Sequence, residues 1–314
     1  SLQLTRGNRG SDRNPFYSSF HNINVDVDRI DFLIDKDSIY FNKQGLGYNK
    51  REVPVVFESL NYFEESDYRR LQNIATTNPI ALLKIAYEET GERVFDADRL
   101  ARKLNPNFSV ENINSLLYDL VSKGFVNYDA EKQQVELKDK VFLYADASQK
   151  KVDYDNLKII SETKETNAEF DLVNQIMQIN GVTSIELSAT QRVGLRPFGN
   201  SIRMRRNRDF DFDGRLFAGF TAFSGKDFHF EYDKFQVVMD SVRFFDVFLP
   251  TGEVSKNGQP VANSIGSRIE HLTGVLLIDA PNNKSGKDDI EIFPNLESKE
   301  SSYVFYDYEG TKGG

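Results

Sequence analysis

The spacing of apolar positions changes twice along this chain. Between Asn78 and Tyr144 apolar residues recur every three to four positions, which predicts helices, whereas both flanks alternate apolar and polar residues, which predicts strands. We therefore expect an α+β protein that is mostly β, with antiparallel or solenoid-like stacked strands and an inserted helical module. The predicted domains are an N-terminal β segment with a helical connector (1–77), the module (78–146) and a Phe-rich β domain (147–314).

The module is predicted to contain three helices. The first begins with Pro79 and ends at Gly91, because proline is tolerated in the first turn of a helix and glycine favours a helix end. The second ends before Pro106, since the residue that precedes a proline avoids the helical region. The third runs from Ser109 to Gly124 and buries a stripe of Val, Ile and Leu residues.

A β-hairpin is predicted after the third helix. Residues 125–128 and 135–137 alternate on either side of a polar tip. Three helices followed by a hairpin resemble a winged helix-turn-helix module. The resemblance implies that the third helix would enter the major groove of DNA. The residues on its outward face that we predict to make contacts are Asn112, Ser115 and Tyr118.

The charge of the module argues against DNA as the partner. Residues 78–144 carry a net charge of −2 and the whole chain carries −9, whereas a DNA-binding module normally presents a basic face. Nucleic acid is therefore not an expected partner. We predict a structural or protein-interaction role, and the alternative is a DNA-binding winged-helix regulator.

The N-terminal flank is predicted to be mainly β. Residues 1–22 are polar and fit either a flexible segment or a strand, and residues 23–41 alternate as a two-strand meander. A short strand is expected at 53–57, which Pro54 would place at a sheet edge. Residues 64–75 are expected to form a helical connector.

The strongest β pattern lies between residues 210 and 249. Turns are predicted at Gly214, at 224–227 and at 233–234. Residues 175–179 fit either a strand or one helical turn. Other strands are expected at 157–160, 168–172, 181–188, 275–278 and 302–306. The residues predicted to form the stability core are Phe212, Phe228, Phe230, Phe235 and Phe244.

Three segments of this C-terminal region carry a second resemblance. Residues 187–191, 209–214 and 225–228 resemble parts of very long, β-rich envelope proteins of Bacteroidota bacteria. The resemblance covers mainly residues 155–310 and implies an extracytoplasmic scaffold of the cell envelope. Since the sequence starts at Ser1 without a signal-peptide pattern, we expect a fragment of a longer chain. The expected partner is the rest of that chain or another protein.

The sequence offers little support for catalysis. It has no cysteine, no Gly-x-Ser-x-Gly turn and no Gly-rich phosphate loop. We therefore expect no enzymatic activity and no cofactor, and the sequence does not indicate a small-molecule ligand. No apolar run reaches the ~20 residues that a membrane-spanning helix needs.

Acidic and histidine residues are the candidate metal ligands. Alternate carboxylates on a strand could hold Ca²⁺, but the solvated face of a half-buried strand is the favoured interpretation. The histidines lie far apart in sequence, so we predict surface groups and no metal site. The residues concerned are Asp26, Asp28, Asp31, Asp35, Asp37, Asp209, Asp211 and Asp213, and His21, His229 and His271.

One segment is strongly basic and contains Arg192, Arg196, Arg203, Arg205, Arg206 and Arg208. Alternation would place Arg203 and Arg205 on one strand face and Arg206 and Arg208 on the other. We expect these side chains to pair with carboxylates of the adjacent Asp-rich strand. The alternative is contact with an anionic glycan or a partner protein, for which the predicted residues are Arg203, Arg205, Arg206 and Arg208.

Overall fold

The computed structural model describes residues 1–42, 54–72, 78–254 and 260–299. Within these ranges the helices are α1 Glu65–Gln72, α2 Pro79–Thr90, α3 Ala97–Leu104, α4 Val110–Ser122 and α5 Asp139–Ala147. Short 3-10 turns occur at Gly10–Asp12, Ile34–Lys36, Phe198–Asn200 and Arg206–Arg208. Most of the regular structure is β, as the sequence predicts.

The strands of the first half are β1 Leu2–Thr5, β2 Phe16–Ser18, β3 Ile23–Asp26, β4 Arg29–Leu33, β5 Ser38–Phe41, β6 Val55–Ser59, β7 Val94–Asp96, β8 Val126–Asp129 and β9 Gln134–Leu137. Those of the second half are β10 Lys158–Ser161, β11 Ala168–Asp171, β12 Ile176–Asn180, β13 Ile185–Ser188, β14 Val193–Pro197, β15 Ser201–Met204, β16 Phe210–Ala218, β17 Thr221–Glu231, β18 Gln236–Val254, β19 Pro260–Leu277 and β20 Asn295–Ser298.

Three sheets are formed. The large sheet has thirteen strands: eleven follow the order β1-β4-β5-β11-β12-β15-β16-β17-β18-β19-β20, and the β13–β14 hairpin joins it through β16. The small sheet has the order β10-β6-β3-β2, and the third sheet is β7-β9-β8. All the paired strands in the described residues are antiparallel, which favours the antiparallel alternative over a stacked solenoid.

Local hydrogen bonds set the helix ends of the module. The Asn78 side chain accepts a bond from Ile80 N at 2.9 Å, and Gly91 ends α2 with a φ of 70°. Asp96 accepts a bond from Arg99 N at 2.9 Å at the start of α3. These are the caps that satisfy the free N–H and C=O groups at helix ends. The predicted bounds of the first two helices are confirmed.

The module contains two elements that the apolar pattern did not predict, β7 and α5. Strand β7 pairs with β9 of the predicted hairpin, and α5 packs against α2. The connector helix α1 belongs to the same core, since Phe63 and Leu71 are buried with the apolar residues of α2 to α5. The connector therefore packs with the module rather than lying apart from it.

A second core lies between the small sheet and the large sheet. Val25 and Phe57 of the small sheet are buried in one cluster with Phe210 and Phe230 of the large sheet. The rings of Phe41 and Phe57 meet across the two sheets with centroids 6.0 Å apart. The protein therefore has a two-sheet core and a helical core, and aromatic residues contribute to both.

The N-terminal strands differ from the prediction in two ways. The predicted two-strand meander over residues 23–41 is confirmed for the antiparallel hairpin of β4 and β5, but it is wrong for residues 23–26, because β3 is a separate strand of the small sheet. The predicted edge strand is also wrong, because β6 lies between β10 and β3. Pro54 precedes the first residue of β6, so it removes no hydrogen bond from the ladder. Residues 1–22 include β1, which pairs with β4, and β2, which pairs with β3.

Two predicted turns are bulges within long strands. Strand β16 runs through Gly214 and β17 runs through residues 224–227, each with a shift of register. A Cβ on Gly214 would lie 2.4 Å from Arg196 O, and one on Gly225 would lie 2.2 Å from Ser241 O. Both glycines are therefore needed for close backbone approach and not for chain reversal. The predicted turn at 233–234 is confirmed between β17 and β18.

The remaining strand predictions are mostly confirmed. The ambiguous segment 175–179 is a strand, since β12 covers most of it and Gln175 lies in the preceding turn with a φ of 57°. The strands expected at 157–160, 168–172, 181–188 and 275–278 correspond to β10, β11, β13 and the end of β19. The strand expected at 302–306 lies outside the described residues. Among the described residues no helix is long and apolar enough to cross a membrane.

Four of the five predicted core phenylalanines are buried: Phe212, Phe228, Phe230 and Phe235. The prediction for Phe244 is wrong, because this residue is only half-buried, whereas Phe245 packs against Phe223 with ring centroids 5.3 Å apart. Strand β18 shifts register twice here, between Met239 and Val242 against β19 and between Val242 and Phe244 against β17, so the inward side changes at Val242 and changes back at Phe245. A strict alternation of positions could not anticipate these shifts.

We expect Phe230→Ala to lower the free energy of unfolding by ~3–5 kcal/mol. The ring of Phe230 is buried and lies 4.9 Å from that of Phe210. The control is Glu231→Ala, which removes a partly exposed ion pair with Lys234 and should cost at most about 1 kcal/mol. Urea denaturation followed by circular dichroism measures both. Small and equal losses would mean that the inward face is assigned incorrectly.

Candidate functional site

The predicted arginine segment lies where β15 turns back into β16 at the outer face of the large sheet. Arg203 on β15 is directly opposite Asp211 on β16. Residues Arg206–Arg208 form a 3-10 turn, with φ values of 54° at Asn207 and 70° at Arg208. The prediction that this stretch continues as a strand is wrong, because the chain reverses direction here through two left-handed residues.

Arg205, Asp211 and His229 form a hydrogen-bonded cluster. Arg205 Nε donates to Asp211 Oδ2 at 2.7 Å, and His229 Nδ1 lies 2.6 Å from Asp211 Oδ1. The expected pairing of arginine with the Asp-rich strand is thus confirmed for Arg205. Burial alone would raise the pKa of Asp211, but the bonds from His229 and Arg205 outweigh it and lower that pKa. The bond to Asp211 raises the pKa of His229.

An open groove borders this cluster. It is lined by Phe20, Asn174, Gln175, Arg205, Arg206, Asp209, Asp211 and His229. The Arg206 side chain is exposed, and none of the described carboxylates lies within 4 Å of it. Since His229 uses Nδ1 to contact Asp211, Nε2 is the ring nitrogen left for a ligand. Arg206 and protonated His229 could together bind a carboxylate of a partner.

Arg208 is buried and plays a different part. Its Nη1 donates to Ser59 Oγ at 3.1 Å, and its guanidinium carbon lies 3.6 Å from the ring centroid of Tyr232. Ser59 Oγ and Tyr232 OH donate to Asp155 Oδ2 at 2.6 and 2.5 Å, and Leu157 N donates to Asp155 Oδ1 at 2.9 Å. We call Arg208, Ser59, Asp155 and Tyr232 the buried polar network. It connects β6, the turn before β16, the end of β17 and the segment after α5.

The buried polar network was not predicted, apart from Arg208. Ser59 and Tyr232 are 96 and 77 positions from Asp155 in sequence, so no local pattern connects them. Burial raises the pKa of Asp155, whereas its hydrogen bonds and the nearby Arg208 act in the opposite direction. A buried carboxyl group of this kind is tolerated because donors surround it.

The predicted contact face of α4 is partly occupied by the protein itself. A Cβ on Gly10 would lie 2.5 Å from Cγ of Tyr118, so the N-terminal segment passes directly over that ring. Asn112 Oδ1 accepts a bond from Ser109 N at 2.9 Å, which assigns this amide to helix capping. All three predicted residues are exposed, and Ser115 is the one that has neither of these contacts.

Further contacts hold the N-terminal segment in this position. Arg9 forms an ion pair with Glu131 of the β8–β9 hairpin at 3.7 Å. Lys138 Nζ donates to Asn14 Oδ1 at 3.0 Å. We call residues 7–15 the N-terminal strap. It joins the hairpin and α4 to the strands that follow.

The acidic strand positions have separate partners. Asp28 pairs with Arg13 at 2.8 Å, and Asp31 pairs with Arg29 at 2.9 Å. Asp213 accepts a bond from a backbone N–H. The described residues contain no group of three or more His, Asp or Glu side chains arranged to hold a metal ion. The solvated-face interpretation does not hold for Asp211, which is buried.

The histidines occupy contrasting environments. His21 is buried, so the prediction that it is a surface group is wrong. Its ring lies 4.9 Å from Phe20 and 4.7 Å from Phe170, and its Nδ1 is 2.8 Å from Ser18 Oγ. Burial lowers the pKa of His21 to about 4. The side chain of His271 lies outside the described residues.

The class that the fold defines is an α+β protein, mostly β, with two antiparallel sheets packed together and a helical module beside them. No protein-family model, curated protein or solved structure matches the chain. The winged-helix and envelope-protein resemblances therefore stay predictions.

We predict that the pKa of His21 lies below the ordinary histidine value of about 6.5 and that the pKa of His229 lies above it. His21 should stay neutral down to about pH 4, whereas His229 should remain protonated above pH 6.5. The stabilisation from neutral His21 is therefore lost as pH falls from 6.5 to 4, and that from His229 is lost as pH rises through its raised pKa.

NMR titration of the ring C–H signals measures both pKa values, and single His→Gln variants assign the signals. Ordinary pKa values at both positions would contradict the burial of His21 and the contact between His229 and Asp211.

We also expect Arg208→Met to lower the free energy of unfolding by ~3–5 kcal/mol, because it removes the buried guanidinium and its bond to Ser59. Arg206→Met is the matched control, since Arg206 is exposed, and its effect should stay within about 0.5 kcal/mol. Chemical denaturation would compare the two variants. A similar loss at both positions would show that the buried polar network contributes little.

Proposed function

We propose that this chain is a structural and protein-interaction segment without catalytic activity. In this proposal the helical module braces the sheets, and the outer polar face of the large sheet contacts another protein. The observation that carries the proposal is the N-terminal strap over α4, where Gly10 lies against Tyr118. A helix whose outward face is partly covered by its own chain is better suited to a supporting role than to contact with DNA bases.

Ion pairs support the bracing role of the module. Lys140 of α5 forms an ion pair with Glu58 of β6, and both side chains are largely buried. Lys140 Nζ also donates to Lys123 O at 2.9 Å and lies 5.0 Å from the ring centroid of Phe125. The contact therefore links the end of α4, the start of α5 and the small sheet at one point. Desolvated contacts of this kind hold two parts of a chain in one geometry.

The outer face of the large sheet is suited to contact. Eight adjacent strands carry directly paired polar residues, and we call this set the polar row: Gln3, Asp31, Tyr40, Glu169, Gln178, Arg203, Asp211 and His229. Gln3 donates to Asp31 at 2.8 Å and Tyr40 donates to Glu169 at 2.7 Å. Side chains that are already held in place lose little entropy when a partner binds.

The DNA-binding regulator remains the alternative. It would need the outward face of α4, where the N-terminal strap lies, and the module has a net charge of −2. Phosphate contacts from Lys and Arg supply most non-specific affinity for DNA. The geometry therefore favours the interaction role.

We expect no DNA binding tighter than the ~10⁻⁴ M typical of weak non-specific contact. Fluorescence anisotropy with a labelled duplex over a range of salt concentrations tests this for the full chain. It also tests Gly10→Val, whose side chain would displace the N-terminal strap from Tyr118. Micromolar binding that weakens steeply with salt, by either protein, would favour the regulator instead.

A random peptide library displayed on phage tests the interaction role directly. We expect selection on the full chain to enrich peptides whose binding is lost in Arg203→Glu, on the polar row, and kept in Arg70→Glu, on the exposed surface of α1. Failure to enrich any peptide, or binding that depends on Arg70 and not on Arg203, would overturn the proposal.

A further inference from the structure

A second groove on the outer face of the large sheet contains two arginines stacked on aromatic rings. The guanidinium carbon of Arg192 lies 4.8 Å from the ring centroid of Phe220, and that of Arg196 lies 5.6 Å from the ring centroid of Phe217. All four residues line one groove beside β13, β14, β16 and β17. We call it the Arg–Phe groove.

The two arginines have charge available for a ligand. A guanidinium that lies over a ring presents its N–H groups at the edge of its plane, where they fit a carboxylate with two parallel bonds. Among the described residues no carboxylate lies within 4 Å of either Arg192 or Arg196. Stacking therefore orients both cations while leaving their donors for another molecule.

The strand register adds a further sign of uncompensated charge. Arg196 is directly opposite Arg215 in the β14–β16 pair. Like charges in that relation destabilise a sheet unless something compensates them. Arg215 is compensated, since its Nε donates to Ser224 Oγ at 3.2 Å and its Nη2 lies 3.9 Å from Asp246 Oδ2. Arg196 is exposed and lies over the Phe217 ring, and within the described part of the chain its side chain forms no ion pair.

The groove also has an apolar floor. Gly194 is directly opposite Phe217 and has no side chain to cover the ring. Phe248 lines the same groove, and its backbone N–H donates to Phe220 O at 2.8 Å. The three phenylalanines are only half-buried. An occupant that offers apolar side chains between carboxylates would cover this floor.

We propose that the Arg–Phe groove binds an extended acidic segment of a partner protein, with carboxylates on Arg192 and Arg196 and an apolar side chain over Phe217. This inference rests on the proposed function and names the chemistry of the partner. A peptide fits better than a nucleic acid, because the whole chain has a net charge of −9 and Glu186 also lines the groove. The repulsion from this negative charge acts on every anion and grows with the number of charges, so a short peptide with few carboxylates is disfavoured less than a nucleic acid.

The test uses a fluorescein-labelled peptide of alternating glutamate and phenylalanine with the full chain. We expect saturable binding that weakens at least about tenfold in Arg196→Gln and in Arg192→Gln, the usual effect of losing one charge-assisted contact. The matched control is Arg243→Gln, an exposed arginine outside the groove, which should bind as the unaltered chain does. Circular dichroism checks that the variants are folded.

Three results would overturn the inference. The first is no peptide binding, and the second is binding that Arg192→Gln and Arg196→Gln leave unchanged. The third is that labelled single-stranded DNA or a heparin oligosaccharide binds the groove as tightly as the peptide. If library peptides bind through Arg203 while this peptide does not bind, the proposed function stands and only the assignment of the Arg–Phe groove fails. If neither binds, both fail.

Discussion

The rest of the structure depends on the hydrogen bonds that surround buried Asp155. A carboxyl group that leaves water must be surrounded by donors, and here they come from β6, from the end of β17 and from the backbone of Leu157. Arg208 contacts the same site through Ser59 and covers the ring of Tyr232. These donors are correctly placed only when the small sheet, the large sheet and the segment after α5 are all assembled. The polar groups of the buried polar network therefore meet their hydrogen-bond partners only when these parts are docked correctly.

The continuity of the large sheet follows from a second constraint. Strands β16 and β17 cross the regions of Gly214 and Gly225 with register shifts and no turn, because a glycine lets the neighbouring backbone approach closely there. One uninterrupted outer face results, which carries both the polar row and the Arg–Phe groove. If the chain had reversed at those glycines, the groove with His229 and the Arg–Phe groove would not share a surface.

The sequence predicted what depends on local periodicity and missed what depends on distant partners. The bounds of α2 and α3 follow from caps only a few residues away, and the burial of Phe228 and Phe230 follows from simple alternation. The prediction for Phe244 failed because two successive register shifts in β18 change the inward side twice within a few residues, and the composition of the strand carries no sign of them. The central position of β6 and the network around Asp155 could not be predicted, since both depend on residues far apart in sequence.

The arginine segment shows why a basic run in sequence is not a basic surface. Arg208 is buried against Tyr232, and Arg205 is neutralised by Asp211, so neither offers free charge to a partner. Arg192 and Arg196 are stacked on rings that restrict their orientation without neutralising them. A stacked guanidinium has already lost much of its side-chain freedom, so in the proposed interaction a partner's carboxylate would meet donors that are in place before binding. The recognition that we propose for this face therefore depends on which arginines the fold leaves unpaired, and not on how many the segment contains.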